Sequence, residues 1–282
     1  MTSKRIVDQN GKPYSRGWLM FIMLVGMFFP VLNETVLATA YPKLMNYFGI
    51  NTSTVQWLTS AFLMVAGIMI PISTWLMERF NTKTLFITST AIFEVGTVMA
   101  WLAPSFSVLL TARIIQAIST GIAMPLMQSI IFHIYPNGER GAAMGLGGLV
   151  VGLAPAIGPT LSGWIVDNAS WRDLFSMNII PTAIVIILAL FLFKPVLPTH
   201  QAKLDAPSVI LSTIGFGSLL YGFSSVGQDG WGSTTVLASL IIGLIVVVLF
   251  GWRELVAKHP LINLSVFKNL DFNVVLRSVL WL

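Results

Sequence analysis

The chain contains no cysteine in 282 residues, which excludes a disulfide framework, a thiolate zinc site and thiol catalysis. It has only three histidines (His133, His200 and His259), scattered at no spacing that suits a metal ion, so no metal site is expected. Charge is scarce as well: 10% of residues are Asp, Glu, Lys or Arg, against roughly 25% in soluble domains. A phosphate-cradling loop is missing. Gly145-Leu146-Gly147 is followed by Val150 where a third glycine is required, and no Walker lysine follows. Neither a Ser/His/Asp set nor a paired-carboxylate constellation is evident. These absences argue against an enzyme, and no cofactor is called for.

What the chain has is apolar surface. Hydrophobic residues make up 55% of it and the mean hydropathy is +0.82, the composition of an all-α polytopic membrane protein. Helices are predicted at 17–39, 54–77, 84–103, 107–132, 142–166, 173–193, 207–226 and 234–252, with a ninth starting near 271. This divides the chain into a tail (1–16), a six-helix bundle (17–193), a charged linker (194–206), two extra helices (207–252), and an interfacial loop with the start of the next helix (253–282). The chain stops about twelve residues into that ninth span, short of the ~20 needed, and so reads as truncated. The basic N-terminus followed by an apolar run resembles a signal peptide, but the run exceeds twenty residues and lacks a small-residue cleavage site.

A net charge of +5 invites a nucleic-acid reading. The distribution of the charge removes it. The N-terminal tail and even-numbered loops hold Lys4, Arg5, Lys12, Arg16, Arg79, Lys83, Arg140, Lys194, Lys203, Arg253, Lys258 and Lys268. The odd-numbered loops hold only Lys43 and Arg172. By the positive-inside rule the N-terminus is cytoplasmic, and the protein is multi-pass in the cytoplasmic membrane.

The fifth predicted helix carries the densest pattern. Between Gly141 and Gly163 lie seven glycines and two prolines. At about 100° per residue, Gly145, Gly148, Gly152, Pro155, Pro159 and Gly163 fall within an arc of about 80°. That stripe suits close helix packing through small-xxx-small spacing, or a bend where two bundles meet.

Polar residues inside spans are costly and therefore informative. Glu34 follows Asn33 deep in helix 1; it either lines a cavity or sits at the membrane interface. Glu94 lies mid-way along helix 3 with Thr90 and Thr97 on its face, either a hydrogen-bonded packing residue or a proton carrier. Arg113, with Gln116 and Thr120 on one face of helix 4, either snorkels to headgroups or pairs with Glu34 or Glu94, the available intramembrane carboxylates.

Together these stretches resemble the fourteen-helix drug:proton antiporter branch of the major facilitator superfamily, the EmrB/QacA type. Leu32-Asn33-Glu34-Thr35-Val36 through Ala40-Tyr41-Pro42 is similar to its helix 1 signature, and Arg113-Ile-Ile-Gln116 to its helix 4 motif. Gly152-Leu-Ala-Pro155-Ala-Ile-Gly158-Pro159-Thr-Leu-Ser-Gly163 resembles its antiporter motif. Trp171-Arg172 with Phe175, Asn178 and Pro181 matches the stretch opening helix 6, and the pair joined near Gly230-Trp231 resembles the branch's extra helices. There are departures. Asn33 stands where the family often has Asp, Ala117 stands where glycine is usual, and the loop between helices 2 and 3 keeps only its charges, Glu78, Arg79 and Lys83.

The resemblance implies a bundle of 3+3 inverted repeats facing a matching C-terminal bundle, the missing partner of this chain, across a midplane cavity. It implies export of a lipophilic, cationic compound against protons, with the proton gradient as energy source and the lipid bilayer as surroundings. Glu34, Glu94 and Asn33 would bind protons and the substrate cation, and Arg113 and Gln116 would relay charge. Gly148, Gly152, Pro155, Gly158, Pro159 and Gly163 would gate. Export of an endogenous metabolite or peptide on the same fold, or a non-transporting fragment, are the alternatives.

Overall fold

In a computed structural model of the chain, residue 11 and residues 13–200, 204–257 and 261 are described. The start predicted near 271 for a ninth helix, most of the tail, and Lys203, Lys258 and Lys268 of the topology count lie outside them. The helices are α1 (Arg16–Val36), α2 (Tyr41–Phe48), α3 (Thr52–Arg79), α4 (Thr82–Trp101), α5 (Phe106–Ile134), α6 (Asn137–Asn168), α7 (Asp173–Leu192), α8 (Ala206–Asp229) and α9 (Thr234–Val256). Among the described residues, eight segments are long and apolar enough to cross a membrane, α1 and α2 counting as one.

Helix starts follow their caps. Asn51 accepts from the Thr54 amide at 2.8 Å, and Asn81 from the Thr84 amide at 2.7 Å, which satisfies donors a helix N-terminus leaves bare. The first span was expected to run to residue 39. Instead α1 stops at Val36, passes through a 3-10 turn at Ala38–Ala40 and restarts as α2, with Pro42 in its first turn. Gly49, at φ 64°, then ends α2 in the left-handed conformation that glycine adopts without strain. Helix α6 starts at Asn137, earlier than the predicted 142, because Pro136 precedes it and Glu139 complements the dipole of its first turn.

The chain forms two compact units, residues up to His200 and residues from Gln201. The first packs α1–α7 around two apolar clusters. One gathers Leu19, Met23, Phe86, Leu126, Ile130 and Phe193; the other gathers Leu37, Leu44, Leu58, Leu109, Trp171 and Phe175. The polarity is inside-out relative to a soluble bundle. Ser73, Ser89, Thr97, Ser119, Ser162 and Thr182 are buried, while Phe191 is 74% and Ile180 70% exposed. Lipid is as apolar as leucine, so helices associate through small residues and side-chain hydrogen bonds rather than through exclusion of large apolar groups.

The glycines that achieve this are not those of the predicted stripe. A Cβ at Gly121 would meet the Ala66 carbonyl of α3 at 2.5 Å, and one at Gly26 would meet Phe86 at 2.8 Å. On α6 the packed face is Ala143, Gly147, Ala154, Gly158 and Ser162. Nothing lies within 4 Å of a Cβ built at Gly145, Gly148, Gly152 or Gly163, and Pro155 and Pro159 are exposed. The expectation that this stripe packs a neighbouring helix is therefore corrected within this unit. The face one step round, made of small residues without proline, packs instead, Gly158 against Thr35 and Leu32 of α1 and Gly147 against Met127 of α5.

In the second unit α8 and α9 form a hairpin whose close approach rests on Gly215, Gly222 and Gly243. A Cβ at Gly243 would meet the Leu219 amide nitrogen at 2.8 Å. At the other end of the hairpin Arg253 donates to both carboxylate oxygens of Asp205, at 3.0 and 2.6 Å, and Ser208 donates to Asp205 at 2.6 Å. These bonds hold the Asp205 carboxyl below its ordinary range. A group with a depressed folded pKa contributes its stability above the unfolded value and loses it as pH falls through the folded one.

Gly243→Leu is therefore expected to lower the stability of the hairpin by roughly 1–3 kcal/mol through overpacking. Gly251→Leu on the same helix, where a Cβ meets nothing within 4 Å, is expected to leave the thermal unfolding midpoint in detergent unchanged. Lowering the pH below about 4 should reduce that midpoint in the unaltered chain, with the component from this clamp absent in Asp205→Asn.

Candidate functional site

Two turns into α5, Arg113 is wholly buried, and everything around it is arranged to satisfy one guanidinium. Ser105 caps the helix through the Val108 amide, which fixes the register of the residues that follow. Arg113 Nη1 donates to Asn33 Oδ1 of α1 and, at 2.9 Å, to Gln116 Oε1 one turn on. Its Nε donates to the Leu58 carbonyl of α3 at 3.4 Å, and the guanidinium lies 4.2 Å from the Phe62 ring centroid. A buried guanidinium over an aromatic face gains a cation–π contribution that an exposed one does not. Arg113 was expected either to snorkel or to ion-pair with Glu34 or Glu94. It does neither: its direct partners are neutral, because the Asn33 amide and the Gln116 side chain occupy its reach from α1 and α5.

The network continues into α4. Gln116 Nε2 donates to Thr97 Oγ1 at 2.9 Å, and Thr97 donates to the Phe93 carbonyl at 2.8 Å. Gly96 permits this contact. A Cβ there would meet Gln116 Cγ at 2.7 Å and the Ala112 carbonyl at 2.9 Å. Asn33, Arg113 and Gln116, singled out from the sequence, thus meet in one place. Phe62 and the Leu58 carbonyl complete the set without having been assigned a role, and Thr97, expected on the polar face of Glu94, joins it through Gln116. A glycine next to a threonine on an apolar span was the available signal for the α4 contact.

The two carboxylates lie apart from this set. Glu34 follows Asn33, so its side chain is turned about 100° around α1; it is half-buried and forms no ion pair among the described residues. Arg113, Tyr41 and Glu34 nonetheless interact electrostatically, and the Tyr41 and Thr59 hydroxyls are 2.5 Å apart beside them. Glu94, half-buried on α4, has a buried Oε2 with no hydrogen-bond partner; so do Arg113 Nη2 and Asn33 Nδ2. Thr90, expected to share a polar stripe with Glu94, is buried and donates to the Phe86 carbonyl at 2.8 Å.

Of the antiporter-motif residues, Gly158 packs against Thr35 and Leu32. Beside it Ser162 hydrogen-bonds Thr39 and, at 2.5 Å, donates to the Val36 carbonyl. Gly148, Gly152, Pro155, Pro159 and Gly163 do not join this contact. In the loop between α3 and α4, Lys83 donates to the Leu190 carbonyl at 2.5 Å, which caps the end of α7. The Glu78 carbonyl accepts from the His200 amide at 2.8 Å, and Arg79 closes α3.

A buried cation held by neutral groups from three membrane-spanning helices, with half-buried carboxylates nearby, is the candidate functional site of the first unit. The sequence pattern of the Major Facilitator Superfamily matches residues 23–273. The chain belongs to the major facilitator superfamily. It is 50% identical over 257 residues to the MFS-type transporter YcnB of Bacillus subtilis, covering 91% of this chain and 54% of that protein. It is 43% identical to the lincomycin resistance protein LmrB of Bacillus subtilis, covering 89% and 53%. It is 29% identical to the probable multidrug resistance protein EmrY of Escherichia coli, covering 93% and 52%. The chain thus spans about half the length of these relatives, which are named as transporters and resistance proteins rather than enzymes. Among solved structures, peptide transporter POT shares the fold with a TM-score of 0.61 at 15% identity, over 88% of this chain and 54% of that one.

Because Asn33 and Gln116 both act through Arg113, their losses should not add. Asn33→Leu and Gln116→Leu are each expected to cost about 1.5–3 kcal/mol, the range for hydrogen bonds to charged groups. The double variant should cost less than the sum. Thermal unfolding of the four proteins of this cycle in one detergent measures the coupling.

Proposed function

We propose that this chain forms the N-terminal half of an exporter that moves lipophilic cations outward across the cytoplasmic membrane in exchange for protons, by alternating access. The observation that carries this reading is Glu94. Its carboxylate sits on an apolar span with a buried oxygen that no group among the described residues satisfies, one turn from the Thr97 that receives the Arg113 network. A proton, or the charge of a substrate cation, satisfies that oxygen in turn. The two therefore compete for one site, which is the condition for coupled exchange. Glu34 is the second acceptor, within the field of Arg113. The names of LmrB and EmrY support the choice of drug-like substrates.

In this reading α1–α7 face a second bundle supplied by a full-length protein, and the N-terminus is cytoplasmic. The exposed, side-chain-poor face of α6 at Gly148, Gly152, Pro155, Pro159 and Gly163 is the surface on which the second bundle closes. The proton gradient drives the cycle, and no cofactor takes part.

The test is proton-gradient-driven ethidium efflux in everted vesicles from a full-length transporter carrying this half. Glu94→Gln is expected to abolish efflux at normal expression while ethidium still binds, and Glu34→Gln to weaken it. Unchanged efflux in both variants would remove proton coupling from these carboxylates and leave the fold untouched.

A further inference from the structure

Lys43 and Arg172, the two basic residues assigned by sequence to the otherwise uncharged-by-lysine side of the membrane, converge on a single cleft. It holds about 390 Å³ and is lined by Lys43, Asn46, Tyr47, Ala169, Ser170, Trp171 and Arg172, from α2 and the turn between α6 and α7. The fold places them there. Arg172 donates to the Ala103 carbonyl at 2.8 Å and to the Tyr47 hydroxyl at 3.1 Å, and its guanidinium lies over both the Tyr47 and Trp171 rings. Lys43 is exposed and makes no hydrogen bond or ion pair among the described residues.

The second observation is Trp171. It is 4% exposed, enclosed by Tyr47, Phe48 and Phe175, yet its buried indole N–H has no acceptor among the described residues. A buried donor normally has a partner. Asp173, next to the cleft, does not neutralise it: it accepts from the Ser170 amide at 3.0 Å and lies 3.4 Å from Ser176 Oγ, and neither it nor Asp167 forms an ion pair with Lys43 or Arg172 among the described residues. Two cations and an unspent N–H call for a multidentate anion.

We propose that this cleft binds the phosphate of an anionic phospholipid. Lys43 supplies the mobile charge, Arg172 a fixed one, and Trp171 the indole donor. A lipid fits better than a free anion because the cleft lies at the ends of membrane-spanning helices, among aromatic rings of the kind that sit at headgroup level. Tyr47 is 54% exposed there, and Trp164, 68% exposed, lies farther along α6. A headgroup held in this way ties α2 to the start of α7 and steadies one end of the bundle.

The test is a titration of the purified chain in detergent with phosphatidylglycerol, read by native mass spectrometry. Lys43→Gln is expected to weaken the tightest lipid-binding step by about fivefold, the contribution of one basic residue at an anionic membrane surface. Lys194→Gln, at the opposite end of α7, is expected to leave that step unchanged, and phosphatidylcholine to bind more weakly. Equal losses in the two variants would overturn the site in favour of general charge attraction. Displacement of the lipid by millimolar inorganic phosphate would overturn the lipid assignment and give the cleft to the free anion.

Discussion

The first unit is built around one desolvated positive charge. Taking a guanidinium out of water costs several kcal/mol even after relaxation, so Arg113 is tolerated only where acceptors are fixed in position. Those acceptors come from other helices: Asn33 from α1 and the Leu58 carbonyl from α3, with Gln116 beside it on α5 passing the network to Thr97 on α4. Meeting that demand brings four helices together at one level. Gly96 is the condition for it, since a side chain there would push α4 away from Gln116. The fork geometry of arginine matters here, because a lysine could reach one of these partners but not hold several at fixed angles.

Neutral partners have a functional consequence. A carboxylate in the place of Asn33 would quench the Arg113 charge; an amide leaves its field to act on neighbours. Glu34 is turned away from the network yet lies within that field, and Glu94 keeps one oxygen without a partner among the described residues. The arrangement separates the buried charge, fixed by neutral partners, from the two half-buried carboxylates. In the proposed exporter this lets a carboxylate change protonation without dismantling the contacts that hold α1, α4 and α5 together.

The two faces of α6 divide labour in a similar way. Ala154, Gly158 and Ser162 are spent on α1, where Gly158 meets Thr35 and Ser162 meets Thr39 and Val36. The proline-bearing stripe is left outside that contact. Prolines at 155 and 159 remove amide donors from a helix interior, and a surface that packs late, or packs and releases, tolerates this better than a permanent core does. At the other end of the bundle Lys83 on the end of α7, and Glu78 on the segment near His200, tie the α3–α4 loop to the end of the unit.

Composition and hydropathy alone determined that the chain is an all-helical membrane protein and located the eight spans found among the described residues, because a run of apolar residues long enough to cross a bilayer has few other uses. Helix starts were also local matters: Asn51 and Asn81 sit where their side chains cap the next turn. The end of α1 was not, since the break before Tyr41 is a choice among turns of similar local cost. The sequence singled out Asn33, Arg113 and Gln116, because polar groups in apolar spans are conspicuous. It left open which of them touch, since a 100° step per residue separates Asn33 from Glu34 but does not say which faces α5. It also left open which face of α6 packs inside this unit, and that face is not the glycine–proline stripe. A glycine permits close approach without requiring it, and only the positions of neighbouring helices decided that Gly26, Gly96, Gly121 and Gly158 are contacts while Gly145, Gly148 and Gly152 are not.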